Sequence, residues 1–337
     1  MKSFELTSPA TVEEAVKQLT PSDDPNVDVD LNPRPLAGGQ DLITTMKEYV
    51  TLPSRVVNLK QIPNLDKIEP DGKGGLKIGA LVTLATIEES AEVMKNFPGL
   101  AEAAHAVASP QIRNLGTIGG NLCQRPRCWY YRLEHVVCIK KGGSECYAQD
   151  GENKYNAILG GGPSYIVHPS DVAPMLVALE GTVTVVGPNG SRTIPLGKFF
   201  TLPRENVRRE NVLANDEIIT HVNVPGSPFG AKSTYLKFRE RDSLDFAMSA
   251  VAAAVELDGQ NVKQARIVLG GVAPIPWRVP KAEALMVGKP FSAELAAEVA
   301  KTALAGAKPL EKNGYKIPLT QTLVRRALAK VCGAQTA

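Results

Sequence analysis

Four of the chain's five cysteines fall within 24 residues, at Cys123, Cys128, Cys138 and Cys146. The stretch that carries them, from about Cys123 to Pro163, is irregular and polar, rich in Gly, Arg and aromatic residues. It has no apolar periodicity from which a core could form. Such a segment must be held by something other than hydrophobic packing. A local cysteine cluster in a chain without a secretory signal points to metal rather than to disulfides. The spacing Cys123-x4-Cys128-x9-Cys138-x7-Cys146 lacks the short paired knuckles usual for structural zinc. Basic residues in "RPRCWYYR" and "CIKKGG" would offset the charge of four thiolates. An iron–sulfur cluster ranks first on these residues, ahead of zinc and of free thiols. Cys332, on a helical pattern near the C-terminus, reads as an apolar thiol. Among the histidines, His135 lies inside the cluster segment, where a structural or exposed role outranks a ligand role.

Directly before Cys123 runs "GTIGGNL", and "LAGGQDL" occurs earlier. In each, a Gly-Gly pair follows apolar residues and precedes polar ones. Glycine allows positive φ and close backbone approach, so successive N–H groups can face one phosphate. A helix after Gly39 would add positive potential at its start. Neither turn fits GxGxxG or the P-loop. Either pair alone is ordinary turn chemistry, but two in similar context can cradle a dinucleotide.

With 337 residues the chain is long enough for two or three domains. Its net charge of +3, with Lys and Arg scattered, argues against nucleic acid. The Arg208–Arg209 cluster in "VRRENV" reads as a solvated loop. The most apolar run, "FAMSAVAAAVEL", is too short to cross a bilayer, and the N-terminus lacks an apolar leader segment. A cytoplasmic location is expected, with periplasmic export in a partner's company compatible.

Thr11 and Glu14 form a capping box over a helix with Val12, Ala15, Val16 and Leu19 on one face. A polar loop, "SDDPNVDVDLNP", follows. The spacing then predicts strand, turn and helix through "RPLAGGQDLITTMKEYV". Further strands are expected at "SRVVNL" and "LKIGALVTL", and helices at "LATIEESAEVMKNF" and before Pro110. The second glycine turn is expected in a loop, and "SYIVHPSDVAPMLVAL" as strand then helix. "GTVTVVGPNGSRTIPL" reads as a hairpin. Breakers in "PGSPFG" mark a boundary near residues 225–230. Beyond it two or three strands with a hairpin at "LDGQN" are expected, although the Ala-rich part imitates a helix, and the end is helical.

In this order, "LAGGQDL", "IRNLGTIGGNL", "HPSDVAP", "KFRERDSLDFAMSAVAAAV", "LGGVAPIPWR" and "GYKIPLTQTLVRRAL" resemble the FAD-binding medium subunit of the molybdenum hydroxylases, the xanthine dehydrogenase family. The resemblance runs nearly the full length. It implies an α+β fold: a two-part FAD domain of the vanillyl-alcohol-oxidase type over residues 1–227, divided near 60, with the Cys-rich insertion at 123–163. The CO-dehydrogenase-flavoprotein C-terminal α+β domain would follow over residues 228–337. It implies that FAD is held by Leu36, Ala37, Gly38, Gly39, Gln40, Asp41, Leu42 and Ile43 in the first turn. Thr117, Ile118, Gly119, Gly120 and Asn121 would hold it in the second, with Asp171 at the adenosine part. Ile218 or Ile219 would pack on the flavin, with Lys237 near its ring. The insertion is similar to the subset with an extra 4Fe–4S cluster, as in periplasmic aldehyde oxidoreductase and 4-hydroxybenzoyl-CoA reductase. Cys128, Cys138 and Cys146 would be ligands. Ser164 stands where some members carry a fourth cysteine, so Cys123 would complete the set.

The implied partners are a molybdopterin-binding large subunit and a 2Fe–2S small subunit, in a heterotrimer or its dimer. This chain would pass electrons through FAD to an external acceptor, with no general acid or base of its own. Two other classes stand beside this reading: a zinc-stabilised nucleotide-binding scaffold and a stand-alone flavin oxidase.

Overall fold

The computed structural model describes residues 1–21 and 31–333, so most of the polar loop from Ser22 lies outside the described residues. The first unit is a parallel sheet in which β3 (Arg55–Asn58) lies between β1 (Glu5–Thr7) and β2 (Arg34–Leu36). Thr11 Oγ1 accepts from Glu14 N at 3.2 Å, and Ala10 N donates to Glu14 Oε2 at 3.1 Å, which fixes the start of α1 (Val12–Leu19). The buried face of α1, Ala15, Val16 and Leu19, packs on Val57 in a small core of its own.

A five-stranded antiparallel sheet follows, in the order β4 (Ile68–Pro70), β5 (Leu76–Gly79), β8 (Ile218–Val224), β6 (Thr182–Gly187), β7 (Gly190–Pro195). The "PNG" turn joins β6 to β7 as its residues predict. One helix was expected over "LATIEESAEVMKNF"; there are two, α3 (Leu84–Glu89) and α4 (Ala91–Asn96). Ser90 causes the break, because its extended backbone ends one helix and its hydroxyl accepts from Val93 N to cap the next. Helix α5 (Pro98–His105) then packs on α3 and α4 and on strand β9 (Ser233–Phe238) of the C-terminal sheet.

The C-terminal sheet has the order β12 (Trp277–Arg278), β11 (Asn261–Gly270), β10 (Ser249–Asp258), β9 (Ser233–Phe238). Its Ala-rich strand β10 is buried on both faces. Ala250, Ala252 and Ala254 join the main core, while Val251, Ala253 and Val255 face a second core. That second core is completed by α10 (Pro280–Ala284), α11 (Ala293–Ala303) and α12 (Lys316–Val331). Alternation across a strand delivers small side chains to both layers, and this packing overrides alanine's helical preference. Between Cys123 and Pro163 the chain is irregular apart from single turns. The segment 164–170, expected as a strand, is extended without a strand ladder. Among the described residues no helix is long and apolar enough to cross a membrane.

Candidate functional site

The two glycine turns meet. Gly38 sits so close to the end of α6 (Pro110–Leu115) that a Cβ there would lie 2.0 Å from Leu115 O, and Gly39 has φ +74°. Only glycine fits the first position, and the second strongly favours it. The second turn is not a loop. Thr117 caps α7 (Ile118–Leu122), its Oγ1 accepting from Gly120 N at 3.2 Å. The backbone of residues 80–84 clamps this short helix: Ile118 N donates to Val82 O at 2.9 Å and Gly119 N to Ala80 O at 3.0 Å. Between the turns opens a cavity of about 840 Å³.

Ala37, Gly38, Gly39, Gln40, Asp41, Leu42, Thr117, Gly119, Gly120, Asn121, Ile218 and Ile219 all line it. Leu36 and Ile43 line a separate hollow on the other side of the first turn, and Ile118 is buried in the main core. The "HPSD" motif supports the second turn through its serine. Ser170 Oγ donates to Asn121 Oδ1 and accepts from Ala173 N at 3.0 Å, at the start of α9 (Val172–Ala178). His168 of the same motif packs edge-on against Phe200, ring centroids 4.7 Å apart. Its burial pushes the imidazole pKa down to about 4, so it is neutral.

Asp171 and Lys237 lie outside the cavity lining. They pair with each other at 2.8 Å, both buried, and Tyr235 OH donates to Asp171 Oδ1 at 2.7 Å. Burial, with the Asp171 carboxylate beside it, pushes the Tyr235 phenol well up. Lys237 Nζ also donates to Ala106 O at 2.9 Å, next to the cavity residues Val107 and Ala108. The pair braces that wall from behind.

The cysteines divide between the cavity and the insertion. Cys123 lines the cavity, and burial pushes its thiol up to about 12. Cys138 and Cys128 belong to a small cluster with Val50 and Tyr131. Asn156 Nδ2 lies 3.9 Å from Cys128 Sγ. Burial raises the Cys128 thiol, against hydrogen bonds from the Tyr131 backbone and the Asn156 side chain. Among the described residues no three His, Cys, Asp or Glu side chains are gathered as metal ligands. His135 is exposed. Cys332 is half-buried against the second core, its thiol pushed up to about 11 by burial.

Charge at the cavity comes from residues whose role the motifs did not announce. The "VRRENV" segment, expected in solvent, lines the cavity with Arg208, Arg209 and Glu210. Glu210 is buried and bridges Arg125 Nη1 at 2.8 Å and Lys140 Nζ at 2.5 Å. Asp41 turns toward the cysteine insertion. Its Oδ1 pairs with Arg132 at 2.8 Å and Arg127 at 2.9 Å, and its Oδ2 accepts from Arg125 N at 2.6 Å. Arg125, Arg127 and Lys140 all sit in the cavity wall. The "RPR" triplet was legible as positive charge, but Glu210 carries no local signal of burial.

Residues 2–227 match the family described as FAD binding domain in molybdopterin dehydrogenase. Residues 233–331 match the CO dehydrogenase flavoprotein C-terminal domain. The aldehyde oxidoreductase FAD-binding subunit of Escherichia coli (strain K12) is 35% identical over 298 residues, covering 88% of this chain and 90% of that protein. The carbon monoxide dehydrogenase medium chain of Hydrogenophaga pseudoflava is 28% identical over 330 residues, 96% of each. The solved carbon monoxide dehydrogenase from Hydrogenophaga pseudoflava, lacking the Mo-pyranopterin moiety, superposes with a TM-score of 0.75 over 98% of both chains at 28% identity.

Proposed function

Because the chain belongs to the family of FAD-binding domains of molybdopterin dehydrogenases, with a CO-dehydrogenase-type C-terminal domain, we propose that it is the electron-transferring FAD subunit of a molybdenum hydroxylase-type complex. The observation that carries the reading is the cavity where both glycine turns converge, of the size that encloses a cofactor. The residues fit FAD. Gly38, where a Cβ would meet Leu115 O, and Gly39, with φ +74°, bring main chain to the cavity surface at positions that exclude or disfavour a side chain. Arg127 lines the wall, and its Nε is buried with no hydrogen-bond partner among the described residues. A diphosphate would answer that orphaned donor.

In this proposal the first turn and Thr117 to Asn121 hold the diphosphate. Ile218 and Ile219 give an apolar wall, and the Asp171–Lys237 pair steadies Val107 and Ala108. When bound, the flavin supplies exchange between one-electron carriers and a two-electron acceptor. The protein's part is to fix its position and keep water from the wall. Partners of the proposed complex are a molybdopterin-binding large subunit and a 2Fe–2S small subunit, and the relatives' names, medium chain and FAD-binding subunit, support that placement.

A cluster held by all four cysteines is not formed by the side chains as they stand: Cys123 lines the cavity, Cys128 and Cys138 pack with Val50 and Tyr131, and among the described residues no three such side chains are gathered as ligands. The test is the flavin content of the full-length chain: about one FAD per chain is expected, lost in Gly38→Ala. A correctly folded wild-type chain that neither carries nor takes up FAD would overturn the reading. Iron, sulfide and zinc counts on the same preparation decide the metal.

A further inference from the structure

We propose that Asp41 is a positioning residue that ties the first glycine turn to the cysteine insertion, so that cofactor affinity and order in the insertion are coupled. The inference rests on the FAD reading above and concerns a residue that, by motif alone, would be a cofactor contact.

Asp41 stands at the N-cap of α2 (Leu42–Lys47), where an aspartate ordinarily accepts a backbone N–H of the first turn. Here its side chain makes no cap hydrogen bond. The carboxylate is committed elsewhere, to Arg127, Arg132 and the backbone of Arg125. In sequence those three residues flank Cys128. Arg132 continues to Pro126 O at 2.6 Å and to Glu48 at 3.1 Å, and Arg125 Nε donates to Tyr131 OH at 2.9 Å. Tyr131 packs with Cys138 in the small core of the insertion. A chain of charge-assisted contacts therefore runs from Asp41, next to Gly39 and Gln40, to Tyr131, which packs beside the cysteines.

Electrostatics gives the arrangement its direction. A free carboxylate in this turn would repel a diphosphate. Paired with two guanidiniums it is neutralised, and it holds Arg127 in the cavity wall. Without Asp41 both arginines lose a partly buried partner, and the turn and the insertion are released together.

The experiment is a double-mutant cycle in the full-length chain, reading FAD affinity by flavin fluorescence and hydrogen exchange over residues 125–141. Asp41→Asn and Arg132→Gln are each expected to weaken FAD binding about tenfold and to speed exchange in the insertion. The double variant should be no worse than the poorer single, because the two act as one unit. Asp41→Glu with Arg132→Lys, which keeps both charges, gives a milder second cycle and is expected to retain affinity within about threefold. Additive losses would overturn the proposal. So would unchanged exchange in the insertion when Asp41→Asn loses FAD, since that marks a direct cofactor contact. A wild-type chain that binds no FAD would instead sink the reading on which this one rests.

Discussion

The cavity and the cysteine insertion adjoin, yet they are stabilised in opposite ways. The cavity is cut into the main core. Its turns hang on backbone hydrogen bonds to residues 80–84 and on glycines packed against main chain. In the insertion, Tyr131 and Cys138 form a small buried apolar cluster with Val50, Cys128 lies beside it, and Ile158 and Leu159 reach into the second core. Polar groups supply the rest: Asp41 and Glu210 on one side, and on the other Lys316, which donates to Tyr155 O at 2.9 Å and to Gly271 O at 2.7 Å. A core distributes its stability over many weak contacts. An ionic scaffold concentrates it in a few groups, so single substitutions there leave a buried charge alone.

The largest effect should follow from Glu210→Gln. It leaves the Lys140 ammonium, whose side chain is only 1% exposed, without a counter-charge and with Val207 O at 2.7 Å, and it removes the carboxylate paired with Arg125. Breaking one side of such a pair costs about 3–5 kcal/mol. Urea denaturation of the purified chain checks it, and a change within error would mean that solvent reaches this web. Gly38→Ala attacks the other region. The intruding methyl meets the carbonyl of Leu115, and backbone cannot swing away. About 1–3 kcal/mol of destabilisation is expected from the overpacking, together with loss of bound FAD. Retention of flavin at wild-type stoichiometry would show that the turns do not meet as described.

The same contrast decides what was legible in the residues. The first glycine turn, the capping box at Thr11 and the "PNG" hairpin are local chemistry, and each lies where its residues put it. Strand β10 was legible only as an ambiguity, because burial on two faces is a tertiary fact that alanine does not report. The second glycine turn reads as loop from composition, yet Thr117 and the clamp from residues 80–84 wind it into helix. Long-range pairing was least legible. Nothing beside Asp41 announces arginines more than 80 residues away, and "VRRENV" hides a buried glutamate among solvent-type neighbours. Motif placement of Asp171 and Lys237 at the cavity met the same limit, since each spends its charge on the other.

A pH measurement sharpens the comparison on the insertion's far side. Burial pushes the Lys316 ammonium down from 10.5 to about 7. Between those values the unfolded chain holds a proton that the folded chain has released. Stability from this group therefore rises with pH above 7 and is flat well below it. Relative to Lys316→Met, the wild-type chain should gain about 2 kcal/mol between pH 7 and 9. A difference that stays constant across that range would mean that Lys316 keeps its proton against the two carbonyls.

The smallest expected effect tests whether the cavity's support is as distributed as its construction implies. Thr117→Ala removes the hydroxyl that accepts from Gly120 N, and nothing else in the turn changes. Loss of a cap costs about 1 kcal/mol. The turn keeps its hydrogen bonds to Val82 and Ala80, and Asn121 keeps Ser170, so its shape should survive. The expected result is a small fall in the thermal midpoint with FAD affinity lowered no more than about tenfold, the factor that 1.4 kcal/mol represents. If FAD is lost outright while the midpoint hardly moves, Thr117 meets the cofactor directly. The second turn would then owe its role to one side chain, as the insertion does, rather than to the backbone around it.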